Sequence, residues 1–298
     1  PMGYSARYHA ASLAAVFFAL AIGILVGSQV GGDVLDNTRK DLESSLTGDL
    51  DDARGQIDDL ETEISQADNF GTSVFPALTE NQLAGMRIGL VGLGSLPDGV
   101  SDSVGDALAP TGGKLAAVGV VREPPDTKAL SGDLAGTGLA RLNRNNGALE
   151  RYGRTAGRQM ISGGRVLAAT QSELLSQSSG QFGGLDGLII YREESDELEG
   201  EAAQQSRRLN RSLISGAEST FARVVGVEEV GTDPSSVAYF NDNGLTSIDN
   251  LDQPAGKVSL VYALGGAEGS FGVKDGSERL FPELIRQPSG SGNQRKQG

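Results

Sequence analysis

From Ala10 to Gly32 the chain carries no charged side chain, and residues 33–69 then carry twelve acids against Arg39, Lys40 and Arg54, a net charge of −9. An uncharged run followed directly by an acid-rich one restricts what the first quarter of the chain can become. The run Ala10–Val30 reads AASLAAVFFALAIGILVGSQV, 21 residues. As a helix it spans about 30 Å, the thickness of a bilayer's hydrocarbon. This predicts one transmembrane helix over 10–30 after a short terminus over 1–9. Arg7 lies before it and Asp33 and Asp36 after it, so the positive-inside bias puts the amino terminus in the cytoplasm. The expected localisation is the cell envelope, with a single pass and an extracytoplasmic carboxy-terminal domain. A cleaved secretory signal ending near Gly27-Ser28-Gln29 is the rival reading; the length of the run favours retention.

Small residues recur every fourth position within this run. Ala15, Ala19, Gly23 and Gly27 form a candidate helix-packing face, because small side chains let two backbones approach closely. Beyond it, Leu46, Leu50, Ala53, Ile57, Leu60, Ile64 and Ala67 are spaced 4, 3, 4, 3, 4 and 3, a heptad seam that predicts a coiled-coil stalk over 33–69. So narrow an apolar stripe needs a second strand, from another copy or a partner coiled-coil protein. The alternative is an amphipathic helix lying on its own domain. The excess acid makes parallel self-pairing repulsive, and Gly48 and Gly55 each weaken the helix by about 1 kcal/mol relative to Ala.

After a loop around Asn69–Pro76, short apolar runs alternate with helical patterns. Met86–Leu93, Lys114–Val121, Gly187–Tyr191, Ala222–Val227 and Lys257–Leu264 lack polar alternation, as strands buried on both faces do. Helices are expected at Ser101–Ala109, Leu139–Tyr152, Gln171–Ser176 and Asp196–Ser215. The expected fold class is therefore α/β: a transmembrane helix, a coiled-coil stalk and an open, mostly parallel, doubly wound domain over 77–287. The tail 288–298, PSGSGNQRKQG, reads as disordered.

Several chemistries lack their residues. With no Cys, and His9 as the sole histidine beside the uncharged run, thiolate and imidazole metal centres and Ser-His-acid triads have no ligands or base in the later domain. A net charge of −14 with no stretch that concentrates basic residues argues against nucleic acid. Gly89, Gly92 and Gly94 resemble a dinucleotide loop, but Pro97 stands where its third glycine belongs. Glu123 would be the ribose-binding acid of such a site. The cluster from Arg192 to Glu197 follows a strand end, where open sheets place ligands, yet Ser195, Asp196 and Glu197 also suit a helix start. The catalytic, cofactor and metal assignments are none, and the domain reads as a non-enzymatic binding or scaffolding module.

Arg7–Ser28, RYHAASLAAVFFALAIGILVGS, closely resembles the opening of the actinobacterial MctB family of copper transporters. So does the stretch from Ser247-Ile248-Asp249-Asn250-Leu251-Asp252 through Pro254-Ala255-Gly256-Lys257 to Gly269-Ser270-Phe271-Gly272-Val273-Lys274. The resemblance implies copper efflux or homeostasis across the envelope. Its SteB-like members imply instead an envelope scaffold that binds a membrane partner and regulates a peptidoglycan hydrolase in cell division. The residues themselves offer copper little: Met2, Met86 and Met160 do not cluster, and carboxylates are unselective for it.

Overall fold

The computed structural model describes residues 6–137, 139–140, 142, 146–193 and 198–283 and, in its first helix, the side chains of 11–27, 40 and 42 onward. The tail expected over 288–298 lies outside the described residues. The chain forms two compact units, Pro1–Ala67 and Asp68–Gly298.

Helix α1, Ala6–Thr79, runs from the first unit into the second. The loop expected around 69–76 is helical, and Pro76 sits inside the helix. Among the described residues no helix is long and apolar enough to cross a membrane, which corrects the transmembrane helix expected over 10–30. The cytoplasmic and extracytoplasmic sides assigned from that span lose their basis with it.

The second unit is built on a mixed seven-stranded sheet in the order β3-β2-β1-β4-β5-β6-β7. The strands are β1 Arg87–Leu93, β2 Lys114–Val121, β3 Leu175–Gly180, β4 Gly187–Arg192, β5 Arg223–Val227, β6 Thr246–Ile248 and β7 Ser270–Phe271. All pairings are parallel except the edge pair β2–β3. The helices are α2 Asp98–Leu108, α3 Thr127–Asp133, α4 Asn146–Ser162, α5 Arg165–Leu174, α6 Gly200–Glu218, α7 Val237–Asp242 and α8 Pro254–Leu264.

Alternation along each central strand divides the interior in two. Ile88, Leu90, Ile189 and Tyr191 face one layer with Val100, Val104, Leu260 and Val261 of α2 and α8. Val91, Leu93, Leu188 and Ile190 face the other, with Tyr152, Met160, Leu167, Leu209 and Leu213 of α4, α5 and α6. Each such side chain taken out of water contributes about 1.5–3 kcal/mol. The same burial on both faces makes these strands read as continuous apolar runs.

Three sequence expectations change. Lys257–Leu264 is not a strand but the body of α8, buried nearly all round, so its apolar run carries no period to tell it from a strand. Gln171–Ser176 is divided between the end of α5 and the start of β3. The helix expected from Leu139 begins at Asn146.

Candidate functional site

The chain leaves β1 toward β2 on one side and returns to β4 on the other, so the carboxyl ends of β1 and β4 form the switch point where open sheets bind ligands. Gly94, just past β1, has φ +85°, and a Cβ there would meet the Glu123 carboxylate. Glu123, which a nucleotide site would have used as its ribose acid, thus packs into the turn instead. Its Oε1 accepts from Asn210 Nδ2 of α6. A Cβ on Gly92 would collide with the Ser95 carbonyl, so the loop folds on itself, and Pro97 precedes α2 as its N-cap. The glycine-rich segment is a structural turn.

Beside it Arg192 lies over the Tyr239 ring, Cζ to centroid 4.3 Å, and donates through Nη1 to Ser236 Oγ at 3.2 Å. Arg192 and Tyr239, with Leu93, Glu123, Ser206 and Asn210, wall a cavity of about 50 Å³. Ser206 Oγ, Asn210 Oδ1 and Tyr239 OH are buried without a partner among the described residues. The cavity has room for a few water molecules to satisfy them but is far below the several hundred Å³ of a cofactor site. Burial pushes the Tyr239 hydroxyl up to about 12 despite Arg192 and Arg211 nearby. Tyr191 also rises to about 12, first through burial and then through the charge of Glu193. Of the acidic cluster expected after this strand, Glu194–Glu197 lie outside the described residues. Ser206 and Asn210, one turn apart on α6, and Tyr239 of α7 escaped sequence reading because no motif marks them and the two helices are separate in the chain.

Along the same edge, past β5, β6 and β7, a second polar group is fully satisfied. The buried Asp249 carboxylate accepts from Val273 N at 2.7 Å, Lys274 N at 2.8 Å and Ser277 Oγ at 2.6 Å. A Cβ on Gly272, whose φ is +144°, would collide with that carboxylate. Lys274 Nζ reaches the wholly buried Glu228 at 2.9 Å and donates to the Glu229 and Thr232 carbonyls. Lys257 pairs with Asp106 at 3.1 Å, and Asp252 accepts from Val230 N at 3.0 Å. The stretch from Ser247 to Lys274 that carried the family resemblance is therefore a clamp on the last three strands, each polar group of it named here engaged by the fold.

The seam residues occupy one uninterrupted helix, with Leu46, Leu50, Ile57, Leu60 and Ile64 exposed by 53–60%. Ala15, Ala19, Gly23 and Gly27 are exposed on the same helix, and a Cβ on Gly23 or Gly27 meets nothing within 4 Å. For a soft metal the protein offers little. Among the described residues no group of three His, Cys, Asp or Glu could hold an ion. Met160 is buried among α4, α5 and α6 residues while Met86 packs against the opposite layer.

Comparison with known proteins gives relatives with a copper role. The copper transporter MctB of Mycobacterium tuberculosis (strains CDC 1551 and H37Rv) and of Mycobacterium bovis is 37% identical over 84 residues, 28% of this chain and 27% of the relative. The match thus spans about a quarter of those relatives' length. Residues 4–282 match a single family over both units. On that coverage the chain belongs to the family described as copper transport outer membrane protein, MctB.

Proposed function

We propose that the protein is a component of copper transport or homeostasis in the cell envelope, and that it works by holding other chains through α1 rather than by ligating copper or turning over a substrate. Family membership supports the copper role. The observation that carries the manner of working is the seam on α1: apolar residues at heptad spacing, exposed, on a helix that continues through Ala67. Such a stripe gains stability only when a facing helix covers it. The donor chemistry agrees, since neither thiolate, imidazole nor clustered thioether is available in the second unit and carboxylates bind cupric ion unselectively.

The covering helix comes from another copy or from a partner coiled-coil protein. The exposed seam also favours the division-type reading, in which the partner is a membrane protein and the assembly regulates a peptidoglycan hydrolase. Crosslinking in intact cells, with mass-spectrometric identification of what meets residues 40–67, tests both readings. Copies of this chain or copper-handling proteins are the expected products, with their yield lost in Leu60→Asp; a hydrolase would select the division reading. Equilibrium dialysis supplies the counter-test: copper bound below micromolar and undisturbed by magnesium would overturn the claim that the chain acts without ligating it.

A further inference from the structure

Three arginines fall within the five residues Arg207–Arg211, and the fold brings a fourth beside them. Helices α4 and α6 cross at glycines: a Cβ on Gly157 would collide with the Leu213 carbonyl, and one on Gly216 with the Arg154 carbonyl. Backbones so close bring Arg154 of α4 beside Arg207, Arg208 and Arg211 of α6. The four line a groove of about 490 Å³ in which Glu150 is the one acid. Among the described residues none of these arginines takes part in a salt bridge. Arg207 and Arg211 lie one turn apart, where like charges destabilise a helix. Folding alone gains nothing from this arrangement, whereas guanidinium forks are well shaped to grip carboxylates in pairs.

The rest of the molecule decides the kind of anion. A chain of net charge −14 repels any polyanion, a second copy included, beyond about a screening length, so the groove acts at contact and suits a short run of carboxylates set directly against it. The chain contains such a segment. Asp58, Asp59, Glu61 and Glu63 follow one another on α1 with exposed side chains and no cation among the described salt bridges. We propose that the arginine groove between α4 and α6 receives the acidic run Asp58–Glu63 of a second copy of this chain. The acids lie off the seam positions Ile57, Leu60 and Ile64, so the contact neither requires nor excludes pairing along the seam.

Sedimentation equilibrium of the full chain, in a neutral detergent that covers the apolar side chains of 11–27, tests this at 50 and 500 mM NaCl. The triple reversal R207E/R208E/R211E is expected to weaken self-association about tenfold at the lower salt and by less than about threefold at the higher, as screening shortens the reach of the charges. Adding D58K/D59K/E61K to the reversed chain is expected to restore association to within about threefold. Should the reversal disturb the near-ultraviolet circular dichroism, the neutral R207Q/R208Q/R211Q variant replaces it and is expected to lose association in the same direction. Unchanged association in both arginine variants overturns the proposal, as does a loss that the charge swap fails to restore, which would assign the groove to a different partner. Leu60→Asp weakens association at both salts only if the seam pairs, so failure of the seam and failure of the groove give different patterns.

Discussion

Lys274 Nζ lies within 2.9 Å of the Glu228 carboxylate and of two backbone carbonyls, and the Glu228 side chain is wholly buried. Removing the ammonium leaves an uncompensated charge in the interior, so Lys274→Ala is expected to destabilise the second unit by about 3–5 kcal/mol. A shift of the urea midpoint at unchanged slope would show it. Tyr239 presents the opposite case: its hydroxyl has no partner among the described residues, so Tyr239→Phe is expected to change stability at pH 7 by less than about 1 kcal/mol. The same hydroxyl rises from 10.0 to about 12 on folding, which means that the folded state holds its proton more tightly. Its contribution is fully present below pH 10 and is lost as pH rises through about 12. Alkaline unfolding followed between pH 9 and pH 12 is therefore expected to be shallower in Tyr239→Phe than in the parent chain.

Among the elements, the α4–α6 crossing has little tolerance, since at Gly157 an added methyl would have to displace backbone rather than a side chain. Gly157→Ala is expected to cost about 1–3 kcal/mol through overpacking, read as a lowered melting temperature. Gly55→Ala, where nothing lies within 4 Å, is expected to strengthen its helix by about 1 kcal/mol and raise the far-ultraviolet signal. What the sequence revealed at this scale depended on patterning. Arg87–Leu93 and Gly187–Arg192 were legible because strands covered on both faces give short, unbroken apolar runs. The same rule misassigned α8, a helix covered on nearly every side, and it could not find β6 and β7, three and two residues long. Edge strand β3, Leu-Ser-Gln-Ser-Ser-Gly, is exposed beyond its first residue and so carries no apolar signal at all. The Glu123 turn was half legible: its residues were found, but only the fold shows the carboxylate packed into the turn. The arginine groove was half legible: Arg207, Arg208 and Arg211 fall within five residues, but Arg154 lies some fifty residues earlier and only the α4–α6 crossing brings it beside them.

At the scale of the molecule the two units differ in what holds them. The second buries apolar layers on both faces of its sheet, whereas every described side chain of the first is exposed. Helix in residues 40–67 therefore rests on propensity and on whatever covers the seam, and a lone helix with two glycines in this stretch is marginal. Self-repulsion of its acids adds to this at low salt, where the screening length grows from about 3 Å at 1 M to about 30 Å at 0.01 M. Dilution of the full chain, in a neutral detergent that covers residues 11–27, is thus expected to reduce far-ultraviolet helicity while the near-ultraviolet signal of Tyr152, Tyr191, Tyr239 and Tyr262 stays constant. Raising the salt at fixed concentration is expected to recover helicity in the parent chain, and Leu60→Asp to remove the concentration dependence without moving the tyrosine signal. Helicity that holds at the lowest concentration and the lowest salt would mean that the seam needs no partner, and the assembly role proposed for α1 would have to be abandoned.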